Sequence, residues 1–177
     1  MSAEPRIAPG TRADVGLVNW VFAQISGRVT RTEPPKLFLT MGRHRGLFRG
    51  WLRFAGKLMP GGKLPRRESE LVILRVSHLR ACEYERVHHV KLGKRAGLTP
   101  EEIARTAADS LSGFSAREQV LLTAVDELVR DRDLSDETWA ALRGELDEKR
   151  AIELVLLTAH YDMLATFINT VRIQPDR

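Results

Sequence analysis

One cysteine, Cys82, stands in a chain of 177 residues. No intrachain disulfide can form, and stability must come from packing or from association of subunits. The sequence has no unbroken apolar run long enough to cross a membrane and no basic-then-apolar leader at its start, so it is expected to be a cytoplasmic protein with no membrane partner. No segment repeats at a period of 20 to 50 residues, and none is of low complexity. Acidic residues are scarce over residues 1–67, where Glu4, Asp14 and Glu33 face 13 of the 28 basic residues. That portion carries +10 and the remainder −5, which sum to the net +5. Such a split suits an anionic partner or complementary surfaces between subunits.

What is present is an ordinary globular composition, 43% apolar and 29% charged. A chain of this length buries roughly 70% of its unfolded surface, which is enough for one domain over 1–177. Residues 1–10, with two prolines and a glycine and no periodicity, read as an extended N-terminal arm. An apolar helical pattern follows from Thr11, and Glu33-Pro34-Pro35 breaks it. Arg45, Arg49, Arg53 and Lys57 recur every four residues along the next long helix. Without a recognised nucleic-acid motif beside it, this basic ridge reads as a solvated face, and no nucleic-acid partner is expected.

The run Leu71–Val76 is β-branched enough for a buried strand, but nothing else alternates strands with helices, and the charged residues around it favour a buried helix. Gly97 reads as a helix end, while Thr99-Pro100-Glu101-Glu102 and Ser115-Ala116-Arg117-Glu118 are capping boxes. Ser135 and Asp147 open two more helices. The last of these, Glu148 to about Val171, is apolar enough to be central or interfacial, and its His160 and Tyr161 read as core or interface residues. The expected fold class is all-α, with about seven or eight helices joined by short loops.

The chemistry gathers between Glu70 and Leu98, which hold the cysteine and three of the five histidines. On a helix Cys82, Glu85 and His89, at i, i+3 and i+7, share one stripe, so a thiol, a carboxylate and an imidazole lie together. A thiol attacks only as thiolate, and it is helped by a helix N-terminus, a base or a nearby cation. The predicted helix start at Cys82, His89 along the same face and Arg86 one turn away offer all three, with Glu85 or Glu70 to orient the imidazole. The same spacing also fits a buried structural pair of Glu85 and His89. A metal site is disfavoured, because C-x2-E-x3-H supplies three ligands at most and matches no common zinc spacing.

The run Glu70 … Cys82-Glu83-Tyr84-Glu85 … His89, followed by Ala96-Gly97-Leu98-Thr99-Pro100-Glu101-Glu102-Ile103, resembles the carboxymuconolactone decarboxylase and alkylhydroperoxidase D-like family. Later stretches around Asp126, Trp139 and His160-Tyr161 are similar to members of about this length. The resemblance implies an alkylhydroperoxidase D-like helical bundle, a homo-oligomer, a small-molecule substrate, and no cofactor or metal. In the peroxidase branch two cysteines cycle through a disulfide while a glutamate and a histidine relay protons. By position Glu70 matches the glutamate, Cys82 the first cysteine and His89 the histidine, whereas Glu85 stands where the second cysteine would be. The resemblance therefore implies a peroxidase-type oxidoreductase acting on a hydroperoxide with catalytic Cys82, His89, Glu70 and Glu85, whose oxidised cysteine needs an external thiol reductant. The decarboxylase branch implies instead acid-base chemistry on a carboxylated lactone, and a non-catalytic binding protein is the third possibility.

Overall fold

The structure is a computed structural model that describes residues 4–30 and 32–176. Ten helices occur among the described residues, and the only β pairing there is an isolated bridge between Ser112 and Phe114. The all-α class is as expected, but the count exceeds seven or eight. One extra helix arises at Gly16, whose φ of +81° ends a first turn before the next helix begins. A side chain resists that conformation and glycine does not.

The chain groups into two compact units. The first takes the residues up to Lys57 together with those from Phe167 on. It contains α1 (Arg12–Val15), α2 (Leu17–Thr30), α3 (Lys36–Met41) and nearly all of α4 (Arg45–Leu58). Phe22, Phe38, Phe48 and Trp51 form an aromatic cluster around the fully buried Phe48, which stacks on Trp51 at 5.9 Å between centroids. Of the basic ridge, Arg45 donates to the carbonyls of Ala13 and Asp14, while Arg49, Arg53 and Lys57 are exposed. The described part of the N-terminal arm contains no helix, and Arg6 donates its backbone N–H to the Val171 carbonyl at 2.9 Å. Met1–Ala3 of the arm lie outside the described residues.

The second unit, Leu58–Thr166, holds α5 (Arg66–Leu79), α6 (Glu83–Arg95), α7 (Pro100–Arg105), α8 (Ala116–Arg130), α9 (Asp136–Glu145) and most of α10 (Glu148–Val171). The β-branched run is helical, and α5 is its unit's central element, buried without interruption from Glu68 to Ser77. It packs against α6 and α8. Leu71 and Leu74 meet Leu98, Ile103, Phe114 and Leu122 in one cluster, each fully buried side chain contributing about 1.5–3 kcal/mol. Arg75, on the same helix, donates to both oxygens of Asp126 on α8 and to the carbonyls of Thr106 and Ala108. Thr99 and Ser115 form their capping boxes as expected, and Ser135 and Asp147 accept hydrogen bonds from the first turns they open.

The C-terminal helix α10 is the longest of the described helices. Its 24 residues are long and apolar enough to cross a membrane by length and composition, although half of its most apolar window is buried in the protein. The charged residues that interrupt it are engaged: Glu153 accepts the backbone N–H groups of Lys63 and Leu64 at 2.6 and 3.0 Å, which fastens the chain just ahead of α5.

Candidate functional site

The turn between α5 and α6 places the cysteine. Ala81 adopts a left-handed φ of 47°, its N–H bonds to the His78 carbonyl and the Cys82 N–H bonds to the Ser77 carbonyl at 2.8 Å. This is the Schellman pattern that closes α5. Cys82 is at once the second residue beyond that helix and the N-cap of α6, and its carbonyl accepts from Arg86 N at 3.1 Å. The helix start predicted at Cys82 is therefore observed.

Glu70 and His89 form one half of the site. Glu70 is fully buried on α5, and its Oε2 lies 2.7 Å from His89 Nδ1. The half-exposed Arg66, one turn earlier, brings Nη2 to 2.7 Å from the other Glu70 oxygen as an ion pair without hydrogen-bond alignment. A carboxylate on Nδ1 fixes the ring's orientation. Of the two orienting carboxylates offered by the sequence, Glu70 is the one bonded to the imidazole, so the buried Glu85–His89 pair is not formed.

Cys82 and Glu85 form the other half. The thiol is fully buried, and burial followed by the charge of Glu85 pushes its pKa up to about 12. That leaves about one thiol in 10⁵ ionised at pH 7. The helix N-terminus and the cation expected to activate it do not prevail. Arg86 turns away to Thr106 Oγ1 and the Ile103 carbonyl, each at 3.4 Å, and no bond joins Cys82 to His89 among the described residues. Glu85 is 3% exposed, and neither carboxyl oxygen has a hydrogen-bond partner of acceptable geometry. Burial raises its pKa to about 8; the neighbouring thiol opposes the rise and the charge of Asp162 adds to it. At neutral pH Glu85 is therefore chiefly a neutral carboxyl group, able to donate through O–H and to accept.

Tyr161 packs against the Glu70–His89 half. From α10 its ring stands edge-on to His89, 5.1 Å between centroids at 89°, and edge-on to His160 at 5.3 Å. Its phenol pKa is raised by burial and then by the charges of Glu85 and Glu70, while Arg66 opposes them. His160 beside it is held down to about 4 by burial, which keeps the ring neutral. Tyr161 is buried as the core reading has it, and its ring forms a wall against the imidazole. Among the described residues no group of three His, Cys, Asp or Glu side chains could hold a metal ion.

The fold is the alkylhydroperoxidase D-like one, as its likeness to solved structures shows. Residues 45–127 match the model of the carboxymuconolactone decarboxylase family. The match includes Glu70, Cys82, Glu85 and His89 and stops before Tyr161. No curated protein matches the sequence. Among solved structures, an uncharacterized peroxidase-related protein from Silicibacter sp. TM1040 is 14% identical, with 99% of this chain and 95% of that one covered at a TM-score of 0.84. The alkylhydroperoxidase AhpD core of a peroxidase-related protein from Ralstonia eutropha JMP134 is 19% identical over 98% and 94%, with a TM-score of 0.82. The debrominase Bmp8, as a cysteine-to-alanine variant in complex with 2,3,4-tribromopyrrole, is 17% identical over 98% and 93%, with a TM-score of 0.80.

Proposed function

We propose that this protein is a thiol-dependent oxidoreductase of the peroxidase type in which Cys82 is the reacting group. The observation that carries the reading is the buried Glu85 carboxyl beside the Cys82 thiol, with neither oxygen partnered beyond that thiol. One oxygen can accept the thiol proton while the O–H gives its own to the departing oxygen, so no free thiolate has to accumulate. In that step the Cys82 sulfur attacks the terminal oxygen of a hydroperoxide, the O–O bond breaks, and a sulfenic acid and an alcohol are formed. One external thiol then condenses with the sulfenic acid, releasing water and leaving a mixed disulfide. A second displaces Cys82 and departs as the reductant's disulfide. Glu70 and Tyr161 hold His89 at the edge of this relay.

In excess dithiothreitol the wild-type protein is expected to consume cumene hydroperoxide catalytically, and Cys82→Ser is expected to lose that turnover. Equal slow consumption by both proteins would refute the reading. The structural likeness to a debrominase makes a brominated pyrrole the second substrate to assay with the same pair, since a thiol can also accept a halogen from carbon.

The working form is proposed to be a homo-oligomer. Leu17, Val18, Val21, Phe22 and Ile25 leave one face of α2 apolar and exposed, and Ile152, Leu156 and Met163 do the same for a stripe of α10. Light scattering over a hundredfold dilution is expected to show a species larger than 20.0 kDa. A monomer throughout would end the proposal.

A further inference from the structure

The charges around Cys82 bear on which molecules its site admits. The largest charge effects on the thiol come from Glu85, once it ionises, and from Glu83, and the one on Glu85 comes from Asp162. The guanidinium groups on neighbouring turns are already engaged. Arg66 pairs with Glu70, Arg86 bonds to Thr106 and the Ile103 carbonyl, and Arg80 and Arg132 both bond to Asp162. An anion arriving at Cys82 would lose its hydration and find these four guanidinium groups already paired or bonded, and burying an unpaired charge is strongly unfavourable. A neutral carboxyl group, by contrast, offers a donor and an acceptor side by side. It is 3% exposed, and beyond the adjacent Cys82 thiol neither oxygen has a partner, whereas buried polar atoms are nearly always paired.

We infer that the Cys82 site selects uncharged small molecules that present a hydrogen-bond donor beside an acceptor, seats them on the Glu85 carboxyl, and excludes anions. The inference rests on Cys82 as the reacting group and adds the class of molecule that reaches it. A neutral hydroperoxide falls within the class. A carboxylated lactone, ionised at neutral pH, falls outside it.

Two alkylating reagents test this without any peroxidase chemistry. Iodoacetamide and iodoacetate both form a carbon–sulfur bond with the cysteine and release iodide, with the thiol proton passing to solvent. They differ in that one ends in an amide and the other in a carboxylate. The ratio of the two rates at Cys82, read by intact mass at pH 7, cancels the thiolate fraction and is compared with the ratio for glutathione. The expected result is a Cys82 ratio in favour of iodoacetamide at least about tenfold above that of glutathione. Glu85→Gln, which keeps a donor and an acceptor, is expected to retain the excess, and Glu85→Ala to lose most of it. A ratio no greater than that of glutathione, an unchanged excess in Glu85→Ala, or no reaction of the folded protein with either reagent would each overturn the inference. Failure to turn over cumene hydroperoxide together with a raised ratio would overturn the proposed reaction and leave this selectivity standing.

Discussion

Glu85→Gln is expected to be more stable than the wild-type protein at pH 9 and equally stable near pH 4. The folded protein holds the Glu85 proton up to about pH 8, whereas the unfolded chain releases it near the ordinary 4.5. Below 4.5 both states are protonated and the glutamate behaves like its neutral amide analogue. Between the two values the folded state keeps a proton that the unfolded state has lost, so stability falls as pH rises, by about 1.4 kcal/mol per pH unit. Across the interval from 4.5 to about 8 this amounts to roughly 5 kcal/mol, in full only above pH 8. Urea unfolding of both proteins at pH 4, 6, 7 and 9 measures it. Taking the difference between the curves removes the opposite contribution of His160, whose lowered pKa adds stability as pH rises from about 4 to 6.5. Parallel curves would mean that Glu85 ionises as freely in the fold as in water.

Asp126→Ala is expected to cost about 3–5 kcal/mol, because it leaves the guanidinium of Arg75 buried without its counter-charge. Arg75 is 1% exposed, and it donates to the two Asp126 oxygens at 2.6 and 2.7 Å. Its other bonds, to the Thr106 and Ala108 carbonyls at 3.0 and 2.6 Å, satisfy N–H groups but do not neutralise the charge. The double variant Arg75→Met, Asp126→Leu is expected to recover much of the loss, since it removes both charges and leaves apolar side chains of similar reach. Denaturant midpoints give both values. A single-variant loss below about 1 kcal/mol would show that water reaches the pair and solvates it.

Much of the helical framework is legible in the chain because its signals are local. The capping boxes at Thr99 and Ser115 and the caps at Ser135 and Asp147 act within one turn, and the helices start where those residues stand. The placing of Cys82, Glu85 and His89 at the start and along one helix follows from helical spacing, and the choice of a buried helix for Leu71–Val76 follows from its charged neighbours. What spacing does not convey is which side chains are withdrawn from water. The thiol reads as activated from its place at a helix start, but its burial among carboxylates, a property of the packed unit, decides otherwise. Arg86 lies one turn from Cys82 in sequence and binds α7 instead. Tyr161 lies far along the chain from His89, and an aromatic residue in an apolar helix carries no mark of the ring it will face. Its immediate neighbour His160 was the available signal, since two polar-tipped rings in a buried helix both need polar surroundings.

Glu153 and Tyr161 sit on the same face-turning rod, and this makes α10 a phase-setting element. One of them clamps the backbone just ahead of Arg66 and the other supports His89. Along a helix a single inserted or deleted residue swings everything beyond it by about 100°. An indel between these two positions would therefore keep the helix and its hydropathy while aiming the ring away from the imidazole. Length variation among related chains is expected to be absent from that interval and to be tolerated in loops such as Ala107–Phe114, where no angular relation has to be preserved.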